Sequence, residues 1–277
     1  MRYREIIPQP PLNRYVECFW TLEGASTLAQ PERILPDGCI ELILNFGAQF
    51  SQHCDDTQKL QPRNFLVGQM TGPIMITPSG PVQLIGIRFH PGGTLPFVRM
   101  PLHEVTDQVV ELGSFSSALE RDLLRVAERP NLLSQKIRAI EEFLTTSLTN
   151  SRHDSWSMTI AARIIESRGL VAVEELATDA GISSRQLERR FLSDIGVGPK
   201  LLVRIIRFQQ VFRAVEQSNN AWAEIALACG YYDQAHLIRD FNQFAQQTPA
   251  VLFSNQSVLT ASFTRKSRKS DFYNTPG

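Results

Sequence analysis

The sequence lacks the features of membrane and secreted proteins. Its longest apolar runs fall far short of the roughly 18 residues that a membrane span needs. The N-terminus has charged residues but no apolar segment of the kind found in secretion signals. Only four cysteines occur among 277 residues, and none forms a C-x-x-C pair. These absences predict a soluble cytoplasmic protein with reduced thiols and no membrane partner.

Catalytic and metal-binding motifs are also missing. The sequence contains no P-loop, no G-x-G-x-x-G and no G-x-S-x-G. His53, His90 and His103 are far apart, and no H-x-H or H-E-x-x-H occurs. We therefore expect no catalytic residues, no metal and no cofactor, and we predict that the protein is not an enzyme.

Charge is distributed unevenly although its sum is zero. Residues 1–150 carry 13 basic and 16 acidic side chains, whereas residues 151–277 carry 15 and 12. The asymmetry is modest and many proteins without nucleic-acid partners would show as much. It is consistent with a DNA-binding half joined to a half that binds something else.

The first hundred residues have the pattern of β structure. Short apolar segments alternate with turns such as Pro36-Asp37-Gly38 and Pro91-Gly92-Gly93. Examples of the predicted strands are Tyr15 to Leu22, Ile40 to Phe46, Phe65 to Gln69, Ile74 to Thr77 and Val82 to Phe89. Many short strands predict a small β-barrel or jelly-roll-like domain, whose interior can hold a ligand or be filled by its own side chains.

Helical periodicity replaces the strand pattern between about Leu102 and Leu148. Pro130-Asn131 separates two apolar stripes: Leu119, Leu123, Leu124 and Val126, then Ile137, Ile140, Phe143 and Leu144. The stripes can pack on their own domain or form a homodimer. The chain is thus predicted to be α+β, with a β-rich domain and helices in residues 1–150, a linker over 149–155, an all-α domain in 151–256 and a flexible basic tail in 257–277.

The C-terminal half contains an internal repeat. Glu174-Glu175-Leu176-Ala177 followed by Gly181 recurs as Ala223-Glu224-Ile225-Ala226 followed by Gly230. A leucine, an arginine and a phenylalanine then follow at the same mutual spacing: Leu187, Arg189 and Phe191 in the first copy, Leu237, Arg239 and Phe241 in the second. Each copy closes with a proline, Pro199 or Pro249. The repeat indicates one structural unit used twice.

Each copy predicts a helix-turn-helix. The glycine allows the left-handed conformation of a tight turn, and Ser183 or Asp233 can cap the second helix. Leucine and phenylalanine at i and i+4 point inward, and the arginine between them points outward. A short helical hairpin without DNA function could satisfy this pattern once, but two copies with an outward arginine favour DNA reading.

A single helix is predicted to join the two copies, from Pro199 to about Gln217. Nineteen residues at ~1.5 Å each span about 28 Å, near the roughly 34 Å between successive major-groove faces on one side of DNA. Lys200, Arg204 and Arg207 on this helix could reach phosphates or simply keep the helix soluble.

Over residues 156 to 254 the sequence resembles the AraC/XylS family of bacterial transcription regulators. The second copy carries the family's run Ile225-Ala226-Leu227-Ala228-Cys229-Gly230-Tyr231-Tyr232-Asp233, with Leu237, Arg239, Phe241 and Thr248-Pro249. The family usually has glycine near Gln246, so glutamine there predicts a different exit from the second recognition helix. By resemblance, the residues expected to face DNA are Ser184, Arg185, Gln186, Arg189 and Arg190 in the first copy and Gln234, Ala235, His236, Ile238 and Arg239 in the second.

The N-terminal segment resembles a domain found ahead of this unit in less-studied family members. The resemblance rests on residues 36–42 and 86–93 and implies effector sensing or dimerisation. Glu41, Arg88 and His90 are candidate ligand-binding residues. Arg88, flanked by Ile87 and Phe89, could equally lie on a solvent-facing strand surface.

These patterns predict a sequence-specific transcription regulator, activator or repressor, that binds double-stranded DNA and is controlled by a small-molecule effector. RNA polymerase and a second copy of the chain are further expected partners, and the protein would be cytoplasmic and nucleoid-associated. Two alternatives stay open. One is a cupin-like enzyme or binding protein with a DNA-binding appendage, and the other is a constitutive DNA-binding protein with a purely structural N-terminal domain.

Overall fold

A computed structural model of the protein describes residues 1–25, 31–54, 57–128, 132–148, 156–217 and 221–254. The proposed linker over 149–155, the basic tail over 257–277 and the break at Pro130-Asn131 lie outside the described residues. No helix within the described ranges is long and apolar enough to cross a membrane.

The N-terminal part contains two antiparallel sheets. Their strands are β1 (Arg2–Ile6), β2 (Val16–Gly24), β3 (Glu32–Ile34), β4 (Ile40–Asn45), β5 (Phe50–Cys54), β6 (Thr57–Leu60), β7 (Asn64–Val67), β8 (Ile74–Pro78), β9 (Val82–Phe89) and β10 (Val109–Glu111). The larger sheet has the order β1-β2-β9-β4-β7-β10, and the smaller has the order β3-β8-β5-β6. This arrangement is jelly-roll-like, as predicted, but the sheets do not close into one barrel.

The larger sheet is buried on both faces. Along β9, Ile85 and Ile87 point to one side, and Leu84 and Arg88 point to the other, because side chains alternate along a strand. One face packs with Phe50 and Ile76 of the smaller sheet. The opposite face packs against helices α1 (Leu112–Glu128) and α2 (Leu133–Leu148). The N-terminal part therefore has three layers: small sheet, large sheet and helices.

The two predicted apolar stripes are used inside this core. Leu123 of α1 and Ile137, Ile140 and Leu144 of α2 are buried against the larger sheet. Leu119, Leu124, Val126 and Phe143 are partly buried in the same cluster. The stripes thus pack on their own domain, which is one of the two options that the sequence left open, and the homodimer stays a prediction.

The C-terminal part is built around one long helix. Its helices are α3 (Trp156–Glu166), α4 (Val173–Asp179), α5 (Ser184–Asp194), α6 (Pro199–Gln217), α7 (Trp222–Ala228), α8 (Gln234–Phe244) and α9 (Pro249–Ser254). Helix α6 has 19 residues and the bounds that the sequence predicted. Leu202, Val203 and Ile206 of α6 pack with α3, α4 and α5, and Ile205, Phe208 and Phe212 pack with α7 and α8. One rigid element therefore supports both helix-turn-helix copies.

The exit from α8 differs from the expectation. Gln246 has a φ of 50°, in the left-handed region, and Gly196 at the same place after α5 has a φ of 98°. Both copies therefore leave the second helix through a left-handed residue, and the prediction of a different exit was wrong. The conformation is set by the packing of the turn, although glutamine adopts it less readily than glycine does.

Replacing Gln246 with glycine should raise the free energy of unfolding by about 0.5 kcal/mol. Relief of roughly 1 kcal/mol of left-handed strain is partly offset by the greater freedom of glycine in the unfolded chain. Urea unfolding of the full chain measures the change. Gln246→Ala is the control, because it retains the Cβ atom and should bring no gain. A glycine variant less stable than the parent would contradict the prediction.

Candidate DNA interface and ligand cavity

The first helix-turn-helix consists of α4 and α5 joined by a turn at Gly181, whose φ is 64°. Ser183 caps α5: its hydroxyl accepts a hydrogen bond from the backbone N–H of Gln186 at 3.3 Å. The Gln186 Oε1 accepts in return from the Ser183 N–H at 3.0 Å, which completes a capping box. Leu187 and Phe191 are fully buried. The predicted turn, cap and inward face are confirmed.

The second copy repeats this construction with α7 and α8. Gly230 in its turn has a φ of 77°, and the Asp233 carboxylate accepts from the N–H of His236 at 2.7 Å. Leu237 and Phe241 are fully buried. Arg189 and Arg239 both lie six residues after their capping residue, and both are exposed. The two copies thus present an arginine from equivalent positions.

The predicted DNA-facing residues lie on the outer faces of α5 and α8. Those exposed are Ser184, Arg185, Gln186, Arg189, Arg190, Gln234, Ala235 and Arg239, and those half-buried are His236 and Ile238. Four of these side chains have contacts within the protein. Arg239 Nε donates to the Ala235 carbonyl of its own helix at 3.4 Å. Gln186 is engaged in the capping box, Arg190 lies 5.4 Å from the ring centre of Trp156, and His236 packs edge-on against Tyr231 at 5.1 Å. Arg189 and Arg239 are exposed at equivalent positions of the two recognition helices.

Two connector arginines have contacts within the protein, a role that the sequence did not predict. Arg204 donates to Asp240 Oδ1 through Nε at 3.1 Å and Nη2 at 2.6 Å, and its Nη2 also donates to Gln243 at 2.6 Å. Arg207 donates to the Gly169 carbonyl through Nη2 at 2.9 Å and lies over the Tyr231 ring. Both are used to hold neighbouring segments against α6. Lys200 is exposed.

A cavity of about 60 Å³ lies between the two sheets. Strands of the larger sheet contribute Trp20, Glu41, Ile43, Phe65, Val67, Leu84 and Arg88, and the smaller sheet contributes Ile34, Phe50, Ile74 and Ile76. The segment from Leu35 to Cys39 contributes Leu35, Asp37 and Cys39. A cavity that holds one water molecule needs ~10–15 Å³, so this cavity can hold a small ligand of only a few heavy atoms without rearrangement.

Arg88 and Glu41 form an ion pair in the cavity wall. They lie directly opposite each other on β9 and β4, and Arg88 Nε donates to Glu41 Oε1 at 2.7 Å. Arg88 also lies 3.3 Å from Asp37 Oδ2 and 3.4 Å from Glu5 Oε1. Burial would lower the pKa of Arg88, but Glu41 and Asp37 raise it well above its usual value. Arg88 is therefore a cation shared by three carboxylates.

The structure separates the three ligand-site candidates. Glu41 and Arg88 line the cavity, and Arg88 is 3% exposed, so its alternative placement on a solvent-facing surface is wrong. His90 follows the end of β9 and is not among the described residues that line the cavity. Sequence reasoning missed Trp20, whose Nε1 donates to Glu41 Oε1 at 3.1 Å. Strand alternation places Trp20 on the same face as Arg88, but only the β2–β9–β4 order brings Trp20 close to Glu41.

The segment Leu35–Cys39 contacts both the cavity and α6. Leu35 is buried among Ile205, Phe208 and other apolar residues of the C-terminal part. The Pro36 carbonyl accepts a hydrogen bond from Gln209 Nε2 at 2.5 Å. Gly38 has a φ of 84°, and a Cβ atom there would lie 3.1 Å from Leu202.

Two further hydrogen bonds join the N-terminal and C-terminal parts. Arg33 donates to the Ala245 carbonyl, and Thr106 donates to the Gly196 carbonyl at 2.6 Å. The two parts of the chain therefore share a packed, hydrogen-bonded interface, and the segment that includes Leu35 joins this interface to the cavity wall.

Two known families match the chain. Residues 176–255 match a helix-turn-helix domain, and residues 4–111 match a domain of unknown function, DUF6597. The helix-turn-helix transcriptional regulator GlxA of Rhizobium meliloti is 36% identical over 77 residues, which are 28% of this chain and 24% of GlxA. The chain thus spans about a quarter of the length of that relative.

Solved structures also align with the chain. ToxT from Vibrio cholerae aligns with a TM-score of 0.48 and 10% identity over 86% of this chain and 99% of ToxT. Its unsaturated fatty acid-bound form, from strain SCE256, aligns with a TM-score of 0.45 and 11% identity over 84% and 95% of the two chains.

Two capped helix-turn-helix units on one supporting helix define a DNA-binding domain of the transcription-regulator class. The family matches, together with the sequence run through Gly230, confirm the resemblance stated above. The part of the chain over residues 176–255 is therefore similar to the helix-turn-helix domain of AraC-type transcription regulators.

Proposed function

We propose that the protein is a sequence-specific transcription regulator that reads DNA with both α5 and α8. The observation that carries this proposal is the equivalent exposure of Arg189 and Arg239 on capped helices that pack along α6. Arginine can bond the O6 and N7 atoms of guanine with two parallel hydrogen bonds, which distinguishes guanine from other bases in the major groove. The common support on α6 would hold the two reading faces at a fixed spacing.

The experiment is selection of bound duplexes from a random DNA pool by the full chain, followed by sequencing. We expect enrichment of two short motifs whose centres lie about one helical turn, ~10 base pairs, apart. Binding that is strong only at low salt and indifferent to sequence would contradict base reading, because phosphate contacts alone produce that behaviour.

We further propose that a small molecule in the inter-sheet cavity controls DNA binding. The support is the segment Leu35–Cys39, which lines the cavity with Asp37 and Cys39 and packs on α6 through Leu35 and Pro36. A ligand that moves this segment would alter how α6 holds the two reading helices, so its binding energy would shift the population of DNA-competent chains. Cytoplasmic location and contacts with RNA polymerase or a second copy remain expectations of this function.

A substitution that fills the cavity tests this control without any ligand. Val67 lines the cavity and is half-buried, so Val67→Phe should occupy part of the space. We expect the affinity for the selected duplex to change by at least about fivefold, the lower end of common coupling energies. Lys59→Phe, at an exposed position of β6, is the matched control and should leave the affinity unchanged. Equal affinities for a folded Val67→Phe chain and the parent would instead favour constitutive DNA binding.

A further inference from the structure

The chemistry of the cavity wall narrows the class of ligand. Among the described residues that line it, the charged groups are two carboxylates, Asp37 and Glu41, and one guanidinium, Arg88. Glu5 contacts the same guanidinium from outside the lining. Arg88 is thus already surrounded by acceptors, and the wall carries an excess of negative charge. A carboxylate or phosphate ligand would bring a further negative charge close to Glu41 and Asp37, and the repulsion between these buried like charges would oppose its binding.

Glu41 retains an oxygen for a ligand. Its hydrogen bonds from Trp20 and Arg88 both fall on Oε1, and no described residue donates to Oε2. The Glu41 side chain lines the cavity, and 14% of its surface is accessible. Burial raises the pKa of Glu41, and Arg88 opposes that shift. A ligand with an N–H donor and a positive charge would satisfy Oε2 and reduce the excess of negative charge.

The remaining lining also suits an organic cation. The rings of Trp20, Phe50 and Phe65 line the cavity together with aliphatic side chains such as Ile43 and Leu84. Aromatic faces attract cations, and the attraction is stronger when water is excluded. An alkyl body would bury its apolar surface against the aliphatic residues. The cavity volume limits this body to a few carbon atoms.

We propose that the cavity binds a small primary alkylammonium ion, with its ammonium group on Glu41 Oε2 and its alkyl group between the sheets. This inference rests on the proposed sensor role of the N-terminal part, and it adds the chemical class of the effector. It is independent of which bases the recognition helices read.

The test compares isobutylamine, isobutanol and isobutyrate as ligands of the full chain, by calorimetry and by the shift in Tm. We expect isobutylamine to bind at least about tenfold more tightly than isobutyrate. A charge-assisted hydrogen bond of about 1.5–3 kcal/mol corresponds to roughly ten- to a hundredfold in Kd. Preference for isobutyrate, or equal binding of all three compounds, would overturn the proposal.

Glu41→Gln keeps the shape of the side chain and removes its charge, so the ratio of amine to carboxylate affinity should fall by about tenfold or more. Glu23→Gln, at an exposed position of β2, is the matched control and should keep the ratio of the parent. The ratio is measured within each variant, so a change in stability does not mimic the effect. If Glu41→Gln fails to fold, Val67→Phe provides the second test, because filling the cavity should abolish amine binding.

DNA binding is measured separately on the selected duplex. Amine binding that leaves the DNA affinity unchanged would support the ligand class and count against effector control. No amine binding by a chain that still selects two DNA motifs would overturn the ligand class alone.

Discussion

Replacing Arg239 with alanine is expected to weaken binding of the selected duplex by about ten- to a hundredfold, since a bidentate arginine–guanine contact discriminates by ~1–3 kcal/mol. The loss of base preference should be confined to one of the two motifs, because Arg239 lies on α8 and the first copy contacts DNA through α5. Selection repeated with the variant should therefore retain one motif and lose preference at one position of the other. Arg189→Ala should produce the mirror result.

Arg125→Ala is the matched control, because it removes the same charge from an exposed side chain on α1 in the N-terminal part. It should leave both motifs and the affinity unchanged. A variant of Arg239 that binds all duplexes more weakly with unaltered base preference would show that this arginine contacts phosphate, and the slope of affinity against salt would then fall by about one unit. That outcome would contradict base reading by Arg239.

Replacing Arg204 with alanine should lower the free energy of unfolding by roughly 3 kcal/mol, because it removes the cation from a buried carboxylate. The Asp240 side chain is 1% exposed, and both of its described hydrogen bonds come from Arg204. Arg204 also covers the Phe244 ring at 5.2 Å, so its alkyl chain contributes packing. Urea unfolding of the full chain measures the loss.

Two further variants separate charge from packing in this pair. Lys200→Ala removes an exposed cation from the same helix and should change stability by less than about 0.5 kcal/mol. The double variant Arg204→Met with Asp240→Leu replaces both partners by apolar groups and should recover most of the loss, because neither charge then remains buried. If Arg204→Ala is as stable as the parent, the pair does not stabilise α8 against α6.

The helix-turn-helix copies could be predicted almost to the residue from local features. A glycine that allows a left-handed turn, a capping Ser183 or Asp233, and inward leucine and phenylalanine at i and i+4 are all determined by neighbours along the chain. The bounds of α6 followed from its apolar periodicity in the same way. Such signals act over a few residues, so the sequence alone contains them.

The cavity could be anticipated only in part. Period-two alternation places Glu41 and Arg88 each on one face of its strand, but their pairing depends on the register of β4 with β9. The small-sheet strands β5 and β6 and the short strands β1, β3 and β10 were not predicted, because their apolar patterns are brief and interrupted. Sheet order joins strands that are distant in sequence, so no local pattern reveals it.

By itself, the sequence determined the fold class, the repeated DNA-binding unit, its outward arginines and the strands that carry Glu41 and Arg88. Only the tertiary structure decided that Arg88 is buried among three carboxylates, that Arg204 holds Asp240, and that Leu35–Cys39 lies between the cavity and α6. The physical reason is the distance along the chain over which each kind of interaction acts. Caps, turns and periodicity arise from contacts within about one helical turn, whereas burial and charge pairing depend on which distant segments pack together.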